Sequence, residues 1–285
     1  MSRNEERLGL TDSKISDAGA TPPLDVGTAS TGLNFTVPTE LVDLPTKGKL
    51  YPDDHPLKNV EHLEIRYMTA KDEDILTSPS LLRKGLAVER LLQNILIDKS
   101  VNIDDLFVGD KNALIIAARI TGYGSEYETN IVCPVCGTHN KRTFELSDLE
   151  TNFLEAEGED YKLTDSGTFL IKLPKSKLDV EVRLLNGHDE KQMVADAEKR
   201  AKHGLPESTM TEQFKRCLVT VAGSTDRGDI HNFVENMPAL DSRFLRKFYN
   251  RVAPDVDLRQ DFKCSTCSFE ERLEVPLTAE FFWPQ

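Results

Sequence analysis

The sequence has no long apolar run. Its best candidate, Ala113 to Ala118, is broken at once by Arg119, so no segment is long enough to cross a bilayer. The opening MSRNEERLGL lacks the apolar core of a secretory signal, which predicts a chain that stays in the compartment where it is made. Positive charge is also short: 35 Lys and Arg stand against 48 Asp and Glu, for a net charge of −13. A phosphate backbone is repelled by such a surface unless a basic patch overrides it. The basic residues are scattered or interleaved with acids, as where Lys199, Arg200 and Lys202 follow Asp196 and Glu198. Neither nucleic acid nor a membrane is an expected partner.

Catalytic signatures are missing as well. There is no Gly-rich phosphate loop, no nucleophile elbow and no His-Glu-x-x-His helix. The six histidines are dispersed, and each reads as a surface residue. Asp72, Glu73 and Asp74, with Asp189 and Glu190, offer carboxylate clusters, but they stand at predicted helix starts, where they complement the helix dipole. The expectation is a protein without enzymatic activity or small-molecule substrate.

What is present is a globular composition, 39% hydrophobic and 29% charged over 285 residues. Residues 1–32 are rich in Ser, Thr, Gly, Asp and Pro and are expected to form a disordered tail. Residues 33–60 carry spaced apolar residues and prolines, which predicts an extended arm whose Leu44, Leu50 and Tyr51 must be buried by their own domain or by a partner. Beyond the arm, strands are expected at Leu63–Met68, Tyr127–Val132 and Leu178–Leu185. Helices are expected at Lys71–Leu76, Leu81–Asp98, Asp110–Arg119, Asp189–His203, Glu212–Ala222 and Asp241–Arg251, with Asp110 as an N-cap and Gly122 and Gly124 as stops. Cys217 falls on the apolar face of its helix and reads as a small buried hydrophobe.

The order of elements recurs. Asp110 precedes Cys133 by 23 residues, and Asp241 precedes Cys264 by the same 23. Upstream, EIRYMTAKDEDIL resembles EVRLLNGHDEKQM, with Arg66 over Arg183 and Asp72 over Asp189. The predicted fold class is therefore α+β, in two similar halves of strand, helices and Cys-x-x-Cys hairpin: a first repeat at 61–154, a linker or hairpin at 155–177 and a second repeat at 178–285.

Four of the five cysteines form two Cys-x-x-Cys pairs, Cys133 with Cys136 and Cys264 with Cys267, each in a strand–turn–strand frame. In a reduced compartment such pairs are more often metal ligands than disulfides. Two knuckles supply the four thiolates of a tetrahedral structural zinc site, and the 127 residues between them exceed ordinary zinc-ribbon spacing. A redox pair is the alternative, but two equivalent copies fit it poorly. A catalytic zinc needs an open coordination position, which four thiolates do not leave. His139, close behind Cys136, is the one substitute ligand nearby; it reads as a solvent-facing hairpin residue.

Several segments resemble the baseplate protein family of T-even-type contractile-tail phages: LPTKGKLYP (Leu44 to Pro52), EIRYMTAKDEDIL, RLLQNILID, IDDLFVGDKNALIIAARITGYG and the ending VPLTAEFFWP. The resemblance runs from about Leu33 onward. It implies a tail morphogenesis protein, a baseplate hub subunit or hub assembly factor, working through contacts with other tail proteins. Its place would be the host cytoplasm during assembly, or the virion tail. Expected partner contacts are Leu44, Pro45, Gly48, Leu50, Tyr51 and Pro52 in the arm, and Phe281, Phe282 and Trp283 at the end. For the terminal aromatics a folded-back core plug is the favoured reading, because bare aromatics promote aggregation; a hot-spot anchor is the other. A zinc-ribbon nucleic-acid or transcription adaptor is the rival function, and a zinc-dependent hydrolase a third.

Overall fold

The computed structural model describes residues 36–155, 157–158, 160–206, 208–275 and 279–282. The expected tail at 1–32, the first residues of the arm and Trp283 lie outside the described residues.

The first strand, β1 (Thr39–Asp43), pairs antiparallel with β2 (His62–Arg66), and between them the chain makes a compact series of turns. Among its described residues the expected arm is thus extended only at β1. Three prolines deny donors to a ladder, and Gly48, at φ +67°, sits so close to Leu57 and Val60 that a Cβ would meet their backbone at 2.4 Å. Helix α1 (Ala70–Leu76) follows, capped by Thr69 and Asp72. The single helix expected over Leu81–Asp98 is two, α2 (Pro79–Arg83) and α3 (Ala87–Ile95). Gly85, at φ +67°, supplies the left-handed residue that breaks them, and α3 buries Leu91, Leu92 and Ile95.

Helix α4 (Val108–Tyr123) starts two residues before Asp110, which is therefore not its N-cap but its third residue. A hairpin of β3 (Glu126–Val132) and β4 (His139–Glu145) follows. The segment 155–177, expected to be a linker or hairpin, contains strands of a sheet. After the short β5 (Thr151–Asn152) come β6 (Glu157–Gly158), β7 (Tyr161–Leu163), β8 (Phe169–Lys172) and β9 (Asp179–Val182). Phe169, Ile171 and Leu173 are buried, which is why this segment is held in the sheet.

Then come α5 (Gly187–Lys202), α6 (Thr209–Cys217), β10 (Leu218–Val221), α7 (Arg227–Asn236) and α8 (Ala239–Val252). The helix expected to reach Ala222 ends at Cys217. The run Leu218-Val219-Thr220-Val221 is rich in β-branched residues, and it pairs with β9 to complete a sheet of order β10-β9-β8-β7-β6. Helix α7 was not anticipated. The chain closes with β11 (Asp255–Val256), paired to β5, and the hairpin β12 (Arg259–Lys263) with β13 (Glu270–Glu274).

Two apolar cores result. One gathers α1, α3, α4 and both hairpins, with Phe262, Val275, Phe281 and Phe282. The other gathers β8–β10 with α6, α7 and α8. Leu44 and Tyr51 enter the first core, and Leu50 enters the second. The segment after β1 is thus wedged between the cores by its own side chains. The C-terminal hairpin lies with the first core, although most of the second half builds the other.

A four-cysteine centre

Both Cys-x-x-Cys pairs occupy hairpin turns of the same form. Cys133 N–H donates to Thr138 C=O at 2.9 Å, and Cys264 N–H donates to Phe269 C=O at 2.9 Å, each bond closing the turn five residues on. Gly137, at φ +70°, takes the left-handed position after the first pair. The turns face each other. Cys133 Sγ lies 3.7 Å from Cys267 Sγ, Cys136 Sγ lies 3.6 Å from Cys264 Sγ, and all four sulfurs are within 4.8 Å of one another.

These separations are too long for disulfides, whose sulfurs lie about 2.05 Å apart. Thiolates around a tetrahedral ion at about 2.3 Å have sulfur–sulfur edges of about 3.8 Å. The residues present therefore fit a metal ion bound by four sulfurs. His139 is exposed and does not belong to the cluster.

The sulfurs are unequal. Backbone amides of Thr266 and Cys267 stabilise the Cys264 thiolate and bring its pKa down to about 6, with Thr266 N–H at 3.4 Å. Thr138 holds Cys136 below the usual thiol value. The Phe269 amide pulls Cys267 down, but burial and the three neighbouring sulfurs outweigh it and push Cys267 up to about 12. Such crowding of like groups is relieved when a cation shares the charge.

Sequence reasoning missed the residues that lock the hairpins together. Asn140 is buried on β4; its Oδ1 accepts from Ser265 N–H and Oγ–H at 2.7 Å, and its Nδ2 points at Cys264 Sγ at 3.8 Å. Arg142 donates to the Lys263 carbonyl and lies over the Phe262 ring at 5.6 Å. Gln260 Nε2 donates to Glu145 C=O at 3.0 Å. A polar residue at an inward strand position was the one available signal for Asn140.

The expected partner residues fall elsewhere. Leu44, Pro45, Gly48, Leu50 and Tyr51 are buried in the chain's own structure, and of that group only Pro52 is exposed. As partner contacts these buried positions are corrected: their own domain covers them, the first of the two possibilities the sequence allowed. Phe281 and Phe282 are buried too. Phe281 packs edge-on to Tyr127 at 5.0 Å, and its carbonyl accepts from Arg119 Nε at 2.7 Å. Arg119 also donates to the carbonyls of Gly124 and Glu126, so the residue that interrupts the apolar run of α4 is the pin for the C-terminal plug.

Two carboxylates flagged by the sequence are structural. Arg66 grips Asp72 with two bonds, at 2.7 and 2.9 Å, and Arg183 grips Asp189 with two at 2.7 Å. Cys217 is fully buried, and burial raises its thiol pKa to about 12. Among the described residues no helix is long and apolar enough to cross a membrane.

A family model described as T4 bacteriophage base plate protein matches residues 38–283. Comparison with curated proteins and with solved structures finds no match.

Proposed function

The chain belongs to the T4 bacteriophage base plate protein family, and from that premise we propose that it is a non-enzymatic tail morphogenesis protein, a baseplate hub subunit or hub assembly factor. It works by holding other tail proteins, and its four cysteines hold one structural zinc ion. The observation that carries the reading is the convergence of four sulfurs from hairpins 128 residues apart in sequence, Cys136 and Cys264, at tetrahedral spacing. Four thiolates fill the coordination shell, so the ion has no open position for a substrate or a water nucleophile.

We read residues 61–154 and 178–285 as two copies of one unit, with the metal as the clasp between them. In support, the Arg–Asp grips at Arg66–Asp72 and Arg183–Asp189 have the same six-residue spacing. Asp110 and Asp241 are both fully buried third residues of their helices. Each cysteine pair then follows its helix at equal distance.

Metal analysis of the purified chain should give one zinc per molecule and a colourless spectrum; iron–thiolate absorbance would replace zinc by iron. Quantitative mass spectrometry of purified tails decides the role. Stoichiometric presence makes the protein a subunit, and its absence from tails that fail to form without it makes it an assembly factor. Deletion that leaves infectious tails removes both.

A further inference from the structure

Helix α5 is rich in charge, yet Met193, Val194, Ala197 and Ala201 fall on one stripe of it. Val194 is 60% exposed, and Leu205, just beyond the helix, is 52% exposed. These residues line a half-open groove of ≈ 870 Å³ whose inner lining includes the buried Leu184 and Leu185. Three further features belong to this groove. Its charged lining is Glu190, Glu198, Glu212 and Asp255 with Arg200; Glu190 is paired with Lys111 at 2.7 Å, and Glu212 with Lys215 and Arg216 at 3.2 Å. Glu198 has no ion pair among the described residues, and Asp255 is raised in pKa by burial and by the nearby Glu274 and Glu190. Ser208 Oγ, also in the lining, is buried without a hydrogen-bond partner among the described residues.

We infer that this groove is the docking site for one amphipathic helix of a neighbouring tail protein, its apolar stripe against Val194, Ala197 and Ala201 and its Lys or Arg side chains toward Glu198 and Asp255. The inference rests on the reading of the chain as a baseplate protein. A helix fits better than an extended strand because most of the lining comes from α5, α6 and the ends of α4 and α8. A strand laid there would leave most of its backbone groups unpaired, whereas a helix satisfies its own. The 16 residues of α5 span about 24 Å, enough for a partner of three to four turns. Alanines at 197 and 201 allow the close axial approach of about 8 Å. The acidic lining calls for a cationic flank, and burial strengthens that attraction over an exposed surface.

The test titrates the full chain with two labelled synthetic helices of about 16 residues. They share a leucine stripe, and one is flanked by lysines, the other by glutamates. The lysine helix should bind at least about tenfold tighter and weaken as salt is added. The double variant Val194→Glu, Ala201→Glu should reduce its affinity by about tenfold or more while metal content and melting midpoint stay as in the parent. Equal binding of the two helices, or binding indifferent to the variant, overturns the site. So does a dimer in sedimentation that the variant dissolves, since the occupant is then a second copy. In infected cells the folded, metal-loaded variant should be excluded from tail assembly. Its normal incorporation overturns the docking site alone, whereas a gene deletion with infectious tails overturns the baseplate reading and the tail partner with it.

Discussion

Asp110 on α4 and Asp241 on α8 each bind a Leu-Pro loop, but they hold it by different means. The Asp110 carboxylate accepts from Thr46 N–H at 3.0 Å, Thr46 Oγ1–H at 2.6 Å and Tyr51 O–H at 2.7 Å. Asp241 accepts from two backbone amides, Lys175 N–H at 2.6 Å and Ser176 N–H at 2.8 Å. Both loops turn on a residue at positive φ, Lys47 and Lys177. The geometry is common; the donors are side chains and backbone in one place and backbone alone in the other. A backbone-only clasp leaves no trace in the sequence of the loop, because any residue with an N–H can serve it. The side-chain clasp leaves a threonine and a tyrosine, and the tyrosine is expected from the sequence as a partner contact.

That contrast explains what was legible. The sulfur cluster was readable because two Cys-x-x-Cys pairs in matching frames restrict the chemistry to few choices. Most of the longer helices and strands followed from periodicity, although β8, with its alternating burial, and α7, which buries Ile230 and Val234, did not. The arm was misread because apolar residues between prolines look the same whether a partner or the chain itself covers them. Only the position of Asp110, 59 residues from Tyr51, shows which. The early end of α6 was hidden for a similar reason: Leu218 to Val221 continue a helical pattern locally, and only the free edge of β9 makes them a strand. Asn140 and α7 carried no period strong enough to be found.

The largest effect should come from the clasp that joins the two hairpins. In the proposed metal site, replacing Cys264 and Cys267 by Ser removes two of the four ligands. Metal should be lost, and the melting midpoint should fall by on the order of 10 °C, since structural-metal binding energy is folding energy. Because the hairpins share a core with α4 and Phe281, proteolysis should then cut in both hairpins rather than in the second alone. Retained metal with an unchanged midpoint would sink the idea of a clasp between distant segments.

Next in size are the two loop clasps. Asp110→Ala leaves the Thr46 amide, the Thr46 hydroxyl and the Tyr51 hydroxyl with no acceptor in a buried site, and Asp241→Ala strands two amides. Hydrogen bonds to a charged group contribute about 1.5–3 kcal/mol, so each substitution should cost about 3 kcal/mol in guanidinium unfolding. The comparison is sharpened at Tyr51→Phe, which removes one donor and should cost about 1 kcal/mol. If Asp110→Ala were harmless while Asp241→Ala unfolded the protein, the two clasps would not be equivalent.

The smallest effect is a difference in pH response between carboxylates that have a cation and one that has none. Asp72 is buried, and desolvation raises its pKa, but the Arg66 guanidinium with Thr69 and Asn94 outweighs that and brings it from 3.8 to about 2. A depressed folded pKa means stability present above about pH 4 and lost as pH falls toward 2. Among the described residues Asp110 has three donors but no cation, and burial wins, so its pKa is raised above 3.8. A raised folded pKa carries the opposite sign: its stabilising contribution is present below pH 3.8 and is lost as pH rises through the folded value. Unfolding free energies measured from pH 2 to 6 should therefore separate the two. The stability advantage of the parent over Asp72→Asn should shrink as pH falls, and its advantage over Asp110→Asn should grow. Parallel curves would mean that the cation does not decide the sign, and the distinction drawn between the cation-paired grip at Asp72 and the cation-free clasp at Asp110 would fail.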